Sequence, residues 1–418
     1  MHRCRARILL LALGAATAQC GGTIQSLGGL VNGGDTGPSY AFGISADGLV
    51  VVGWSQATAG PEGFRWTPVA GMVGLGDLPG GGVASYANGV SADGQTVVGR
   101  TESASGTEAF RWTVTGGMAG LGGLSDAPYY SEAWGTSANG WSVAGISTTA
   151  ASPEMFRWTP VNGLVGLGGR TPDVFRPMRI SNNGNTIAAT RFFTPSTAVR
   201  AFVWTFESGA FDMPVPEEVT DSEVGGLSVD GRYVLGGLYT LSGASACYWR
   251  IDETVDLVQL GTLSGDVVAV AQAIRADGHL IVGYSGDRAF IWDPVRGMRT
   301  LWSALVNDYG VSLNGWQTLD IASAMTPDGR FIIGHGRRSN GRTEAYRIEL
   351  SLGGGTGDMN CDGAVNVLDI NPFAQALLNP SAYYQLFPSC DIFNADANHD
   401  GSVDVLDINP FVVVLESQ

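Results

Sequence analysis

The sequence predicts an all-β fold, a β-propeller of repeated four-stranded blades, followed by a small α-helical module. One unit recurs about every 46 residues, and each copy combines a turn dipeptide, an apolar run and an aromatic strand. Glycine supplies 61 of the 418 residues and only 15% of residues are charged, which is typical of short strands joined by tight turns. We therefore expect almost no helix before residue 360.

The clearest marker of the repeat is a turn in which Asp or Asn precedes Gly. These residues tolerate positive φ best, so each dipeptide predicts a type I′ hairpin turn between two strands. Seven copies indicate seven units: Asp47-Gly48, Asp93-Gly94, Asn139-Gly140, Asn183-Gly184, Asp230-Gly231, Asp277-Gly278 and Asp328-Gly329.

An aromatic strand follows five of these turns. Its Phe-x-Trp pattern puts both rings on one face of a strand, where we expect them to fill the space between neighbouring sheets. The five copies occupy residues 64–66, 110–112, 156–158, 202–204 and 290–292. Because the Asp, Glu and Arg residues of the unit recur with it, we interpret them as structural.

The two ends of the repeat region predict a closed ring. A last short strand, as in residues 72–78, gives four strands per unit, the content of a propeller blade. Residues 23–30 look like a fourth strand without its first three, whereas the seventh unit stops after its third strand at residues 345–350. We therefore predict a seven-bladed propeller over residues 19–350, closed by its N-terminal strand. The alternatives are an open β-solenoid, or six or eight blades.

Over residues 23–350 this pattern resembles the HAF-type extracellular repeat family of exported bacterial proteins. The fourth and seventh units depart from the consensus, and Ile348 stands where Trp is expected. The resemblance implies export but no defined biochemical activity.

Charge and the N-terminal segment predict where the protein works. With 39 acidic and 23 basic residues, the net charge of -16 repels nucleic acid. Arg3, Arg5 and Arg7 precede an apolar run, which predicts a signal peptide over residues 1–18 and a secreted or cell-surface protein. No stretch reaches the roughly 20 apolar residues of a membrane span. As an alternative, Cys20 is a lipidated N-terminus.

Two matching segments follow a glycine-rich linker at residues 351–357, and they define a module over residues 358–418. Each has oxygen ligands at loop positions 1, 3, 5, 7, 9 and 12 and Gly at position 6, the arrangement that binds calcium in EF-hands, so two ions are expected. The first loop offers Asp358, Asn360, Asp362, the carbonyl of Ala364, Asn366 and Asp369, and the second offers Asp396, Asn398, Asp400, the carbonyl of Ser402, Asp404 and Asp407.

The paired loops resemble a type I dockerin, because each ends in Asp and is followed by one helix. The resemblance implies calcium binding and docking to a cohesin domain, which attaches exported proteins to a scaffold or cell surface. Loop positions 10 and 11 depart from the family, since Val367-Leu368 and Val405-Leu406 replace a small polar pair. A different extracellular partner, or an intramolecular one, therefore remains open.

Cysteine positions predict one disulfide. Cys361 and Cys390 lie 29 residues apart in the same module, and export makes their pairing favourable. Cys247 takes the place of Phe in an aromatic strand, so we expect a buried thiol.

No catalytic constellation is visible in the sequence. His279, His335 and His399 are isolated from one another, and the carboxylates recur with the unit. We predict a secreted calcium-binding protein whose propeller is a binding platform, with a glycan as a candidate ligand. Aromatic residues that do not recur with the unit are the candidates to bind a sugar or peptide: Tyr129, Tyr130, Trp134, Trp141, Trp302, Tyr309 and Trp316. The alternatives are an extracellular glycoside hydrolase or lyase carrying a dockerin, and a structural surface or matrix protein.

Overall fold

The computed structural model describes residues 21–30, 37–126, 129–150, 153–168, 174–192, 198–252, 254–294, 296–351, 355–362, 364–387, 390–398 and 403–417. The expected signal peptide, Cys20 and part of the glycine-rich linker lie outside these residues. The described residues contain no helix that is long and apolar enough to cross a lipid bilayer.

The region before residue 352 is almost entirely β-structure. Sheets A to F follow one another along the chain, and each strand pairs mainly with its sequence neighbour. Sheet A holds β2 to β5, at Ser39–Ile44, Val51–Gln56, Pro61–Thr67 and Gly71–Gly74. Sheet B holds β6 to β13, at Ser85–Val90, Thr96–Ser103, Gly106–Thr113, Gly117–Gly120, Tyr129–Thr136, Val143–Thr148, Pro153–Thr159 and Gly163–Gly166.

Four further sheets complete this region. Sheet C holds β14 to β17, at Val174–Ile180, Thr186–Phe192, Val199–Thr205 and Gly209–Asp212. Sheet D holds β18 to β21, at Asp221–Leu227, Tyr233–Thr240, Gly243–Ile251 and Val255–Gly261. Sheet E holds β22 to β25, at Ala269–Ile274, Ile281–Ser285, Arg288–Asp293 and Gly297–Thr300. Sheet F holds β26 to β28 and β1, at Trp316–Met325, Phe331–Arg338, Thr343–Ser351 and Gly21–Ser26.

The sheets form a propeller-like arrangement, but the predicted count of seven four-stranded blades is not supported. Five sheets are separate and four-stranded, whereas sheet B has eight strands. The two halves of sheet B join because β8 and β10 pair in parallel, through Gly106 with Tyr129 and Thr107 with Tyr130. The repeat unit is therefore regular in sequence while its hydrogen-bonded sheets are not.

The N-terminal strand completes the last sheet, as the sequence predicted. β1 pairs antiparallel with β28 over six residue pairs, from Gly21 with Ser351 to Ser26 with Tyr346. Sheet F then contacts sheet A, where the Ser323 hydroxyl donates to the Ala41 carbonyl at 2.6 Å. Closure pairs an edge that β28 would otherwise expose.

The turns are not of type I′. All seven turn glycines have positive φ, but among the described residues Cys361 is the only non-glycine that does. In the first turn the Gly48 amide donates to the Ser45 carbonyl at 3.0 Å, and the Asp47 carboxylate accepts from the Leu49 amide at 2.9 Å. Because the aspartate caps the backbone from a negative φ, only the glycine has to adopt the left-handed conformation.

Successive turns are joined to one another by their main chains. The Ala46 amide donates to the Ala92 carbonyl, and the Ala92 amide donates to the Ala138 carbonyl, both at 2.9 Å. Repeated arginines support the same contacts, since Arg111 Nε donates to the carbonyl of the next turn glycine, Gly140, at 3.0 Å. From sheet F, Arg347 Nε donates to the Gly48 carbonyl of sheet A at 2.8 Å.

The core lies between neighbouring sheets, as the aromatic pattern predicted. Phe64 and Trp66 pack with Ile333 of sheet F, and Phe110 packs with Val52 of sheet A. Cys247 is a buried free thiol, and burial raises its pKa. Each aromatic strand thus contributes its rings to the contact with the preceding blade-like unit.

Among the residues that the structure describes, one α-helix interrupts the β-region and three follow it. α1 at Leu301–Asn307 lies between sheets E and F and buries Leu301 and Leu305, a short exception to the expected absence of helix. The module contains α2 at Ile370–Leu378, α3 at Pro380–Leu386 and α4 at Ile408–Glu416. Pro372 and Pro410 fall in the first turns of α2 and α4, where the missing amide is tolerated.

Removing β1 tests closure of the ring. We expect a chain that begins at residue 27 to melt more than about 5 °C below a chain that begins at residue 21, because it loses the whole β1–β28 ladder. The exposed edge of β28 should also cause concentration-dependent association. Equal thermal midpoints in differential scanning calorimetry would show that the ring does not depend on this strand.

Candidate calcium module and binding face of the propeller

The first candidate calcium loop is organised by its last carboxylate. Asp369 is fully buried, and its Oδ1 accepts the amides of Met359 and Asn360 at 2.7 and 3.0 Å. Its Oδ2 accepts the Asn366 amide at 2.8 Å. Asp358, at the start of the loop, is also buried, so the loop brings carboxylate oxygens from both of its ends out of water.

The other side-chain oxygens of the first loop accept hydrogen bonds from the backbone of the same loop. Asn360 Oδ1 accepts the Asp362 amide at 2.9 Å, and Asp362 Oδ1 accepts the Ala364 amide at the same distance. Asn366 caps the turn that follows, because its Oδ1 accepts the Leu368 amide at 2.9 Å. These Asx-type contacts, each to an amide two residues further on, hold the loop in a series of tight turns.

The second loop repeats this geometry where it is described. Asp407 is fully buried and accepts the amides of Asn398 and Asp404 at 3.1 and 2.9 Å, as Asp369 does in the first loop. Asp396 is buried as well. The candidate ligands Asp400 and Ser402 lie outside the described residues.

The donor set fits a hard cation. Both loops supply carboxylate, amide and carbonyl oxygens and no soft ligand, which is the chemistry that calcium prefers. Within the described ranges, no group of three or more His, Cys, Asp and Glu side chains converges as a metal cluster. Three of the six predicted ligands of the first loop are two asparagine side chains and a main-chain carbonyl. A group defined by His, Cys, Asp and Glu side chains does not include them.

A disulfide ties the first loop to the segment between the loops. Cys361 and Cys390 are bonded, with their Cα atoms 5.6 Å apart. Cys361 has a φ of 54°, and the Asn394 side-chain amide donates to the Asp358 carbonyl at 2.8 Å beside it. A loop closed over this separation contributes about 3 kcal/mol to stability.

The two loop helices pack as equivalent partners. Phe373 of α2 and Phe411 of α4 stack face to face, with ring centroids 3.9 Å apart. An apolar groove of about 610 Å³ runs between these helices. Val367 and Val405, which precede the helices at equivalent positions, are both 72% exposed, so the module presents two copies of an apolar surface.

The module is docked on the sixth Asx-Gly turn of the propeller. Arg275 occupies the position of the serine that begins most other turns, and its guanidinium reaches Asp391 Oδ1 at 3.1 Å and the Tyr384 hydroxyl at 2.9 Å. Asp277 accepts from Arg275 at 2.7 Å and from Tyr384. His279 packs against the Tyr384 ring at 4.7 Å.

Burial controls the charges at this contact. Burial alone would raise the pKa of Asp277, but the Arg275 guanidinium holds it well below its usual value. Burial raises the pKa of Asp391 to about 6, and Arg275 opposes this shift only in part. Arg275 is therefore the cation on which both carboxylates depend.

A central channel of about 180 Å³ runs between the first strands of all the sheets. Most of these strands have a β-bulge at the channel, which turns an extra residue toward it. Sheet C carries Arg179 at the position of Gly43 and Gly89, and burial lowers the pKa of this arginine. The channel is therefore narrowed by one long side chain where the other sheets have glycine or alanine.

Aromatic and charged side chains form a continuous row at one end of this channel, which we call the aromatic strip. Its members lie near the beginnings of first strands and the ends of second strands, and they span sheets F, A and B. They are His335, Tyr40, Trp54, Tyr86, Arg100, Glu132 and Tyr130.

The aromatic half of the strip is joined ring to ring. Tyr40 stacks on Trp54 with centroids 4.7 Å apart, and Trp54 meets the edge of Tyr86 at 5.6 Å. His335 meets Tyr40 at 4.9 Å, and burial lowers its pKa to about 4, so it is neutral at pH 7. Contacts between rings therefore connect sheet F with sheet A and sheet A with sheet B.

The charged half of the strip centres on a buried glutamate. Arg100 lies 4.3 Å above the Tyr86 ring and its Nε is 3.2 Å from Glu132 Oε1. Glu132 also accepts from the Asn88 side-chain amide at 3.0 Å and from the Tyr130 hydroxyl. Arg100 keeps about a third of its side chain exposed, so the row is open to solvent.

The periodic residues have structural roles, and the sequence pattern missed the strip. Glu62 accepts the Gly76 amide at 3.1 Å, and equivalent glutamates do the same in sheet B. Of the non-periodic aromatics, Trp134 lines the channel and Tyr130 joins the strip, whereas Trp316 is buried in the core. The register that brings Tyr40, Trp54 and Tyr86 together depends on contacts between sheets, which one sequence does not reveal.

The comparison with protein families identifies the module. The model of the dockerin type I domain matches residues 356–410. No curated protein matches the chain. The HAF-type resemblance of residues 23–350 is not shown by these comparisons.

The comparison with solved structures concerns the propeller. An oligogalacturonate lyase from Vibrio parahaemolyticus matches with a TM-score of 0.54 and 10% identity, over 78% of this chain and 93% of that one. The structure of an oligogalacturonate lyase in complex with manganese matches with a TM-score of 0.54 and 12% identity, over 75% of this chain and 90% of that one. TolB from Acinetobacter baumannii matches with a TM-score of 0.40 and 14% identity. The match covers 53% of this chain and 54% of that TolB. At these identities the lyases show the likeness of fold alone.

Replacing Arg275 tests the docked position of the module. We expect Arg275→Ala to cost about 3 kcal/mol in urea unfolding, because the buried Asp391 and the largely buried Asp277 lose their cation. Limited proteolysis between propeller and module should also become faster. Arg250→Ala, which removes a half-exposed arginine from a surface ion pair, should change stability by less than about 0.5 kcal/mol. Equal effects of the two variants would contradict docking through Arg275.

Proposed function

We propose that this is a secreted calcium-binding protein whose dockerin module attaches a propeller to an extracellular partner, with the propeller as a binding platform. The dockerin match and the pair of loops closed by buried Asp369 and Asp407 support this proposal. Calcium would be held by the predicted oxygen ligands of both loops, one ion in each. A bound cation would compensate the buried carboxylates, which are otherwise costly to keep ionised.

Calcium titration of the whole chain tests the module. Isothermal titration calorimetry should show two sites, and Asp358→Ala and Asp396→Ala should each remove one, because each takes away the first carboxylate of its loop. Asp256→Ala replaces an exposed propeller carboxylate and should leave both sites intact. A parent protein that gives no heat with calcium would refute calcium binding.

The partner is proposed to dock on the apolar ends of the loop helices. Val367-Leu368 and Val405-Leu406 are exposed, adjoin the helices of the groove and are related by the repeat of the module. Family dockerins dock cohesins, so a cohesin-like domain is the proposed partner, and its surface should be apolar where it meets these residues. Two equivalent surfaces would allow either loop helix to be used.

Charge substitution on this surface tests the docking. We expect the double variant Leu368→Asp, Leu406→Asp to bind cohesin domains more than about tenfold more weakly, since both apolar copies are lost. Each single variant should retain binding through the other copy. Leu241→Asp alters a fully exposed propeller leucine and serves as the control in surface plasmon resonance. Unchanged binding by the double variant would point to another partner or another surface.

We propose to count the two halves of sheet B as separate blades, which would give seven. The support is that their joint consists of only two residue pairs, Gly106 with Tyr129 and Thr107 with Tyr130. Each half also has its own run of four antiparallel strands.

A polysaccharide-degrading enzyme is the second candidate function. The observation that favours it is Glu223 of sheet D, which precedes a bulge as Glu132 does and accepts from the Tyr239 hydroxyl at 2.5 Å. Burial raises the pKa of Glu223, as an acid catalyst requires. Release of reducing sugar from polysaccharides would distinguish this enzyme from a binder.

A further inference from the structure

We propose that the aromatic strip is a carbohydrate-binding site of the propeller. This inference rests on the proposed role of the propeller as a binding platform and gives that platform a location and a ligand class. The strip joins three partly exposed rings, those of Tyr40, Trp54 and Tyr86, to the Arg100–Glu132 pair.

The chemistry of the strip suits a sugar chain. A sugar ring has an apolar face of C–H groups that packs on aromatic rings, and its edges carry hydroxyls that both donate and accept. Glu132 accepts and Arg100 donates hydrogen bonds, so together they match hydroxyls of either role. The row crosses three sheets with ring-to-ring steps of 4.7 and 5.6 Å, so it extends beyond a single sugar ring.

The rigidity of the strip favours binding. Arg100 is held by both the Tyr86 ring and Glu132, and Glu132 is held by Asn88 and Tyr130. Side chains fixed before the ligand arrives lose little conformational freedom on binding. Neutral His335 adds an uncharged polar ring at the other end of the row.

The strip faces away from the calcium module. First strands begin at the strip and end at the Asx-Gly turns, as β2 runs from Ser39 toward Asp47. The module is docked on the turn that contains Arg275 and Asp277. The strip is therefore at the opposite end of the channel and stays open while the module is docked.

The experiment is a titration of the full chain with defined hexasaccharides. The probes are cellohexaose, xylohexaose, mannohexaose and hexagalacturonate, followed by tryptophan fluorescence and calorimetry. We expect at least one to bind, and Trp54→Ala to weaken that binding about tenfold, the effect of losing one aromatic surface. Trp141→Ala is the matched control, because Trp141 is an exposed tryptophan of an Asx-Gly turn at the opposite end.

Arg100→Lys gives an independent test if Trp54→Ala is unstable. It keeps a positive charge beside buried Glu132 and removes the planar guanidinium donors, so it should weaken sugar binding while leaving the thermal midpoint within a few degrees of the parent. No binding of any probe, or equal losses in the Trp54 and Trp141 variants, would overturn the proposal. Because calcium and cohesin binding are measured separately, their failure would leave the sugar titration readable.

Discussion

The hydrogen bond between the main chains of successive Asx-Gly turns is the contact on which the propeller depends. It fixes the position of one unit against the next, as in Ala46 to Ala92 and Ala92 to Ala138, and the Arg347 contact with Gly48 carries the same attachment across the closure. With the turns held in this way, the aromatic strands meet the preceding sheet and close the core. The first strands are then brought around one channel, and the strip at its end follows from that placement.

Much of the architecture could be predicted from the sequence, because it depends on local and periodic signals. The turn dipeptides, the aromatic strands and the incomplete units at the two ends predicted the β-rich repeat and the pairing of β1 with β28. The turn type was wrong, because the capping of Leu49 by Asp47 removes the need for a second positive φ. The separate seventh blade was not supported, since the β8–β10 pairing depends on a long-range contact.

The sequence predicted the calcium loops but not the aromatic strip. A calcium loop is contiguous, so spacing alone indicated Asp358 through Asp369. The aromatic strip is assembled from three sheets, and its members sit at positions that other units fill with unrelated residues. Tyr40 and Tyr86 are equivalent in register, but Glu132 takes that place in the next unit. The members of the strip are therefore neither contiguous nor regularly periodic, so no pattern in the sequence marks Tyr40, Trp54 and Tyr86.

The Arg275 contact has a consequence for how the propeller and the module can evolve. The contacts that hold Asp391 and Tyr384 of the dockerin module come from Arg275, which belongs to a turn of the propeller. A recombination event that moved the module alone would leave Arg275 with Asp277 but without Asp391 and Tyr384, and the module would lose this contact with the propeller. Substitutions in this turn and in the module should therefore be correlated in the descendants of this protein.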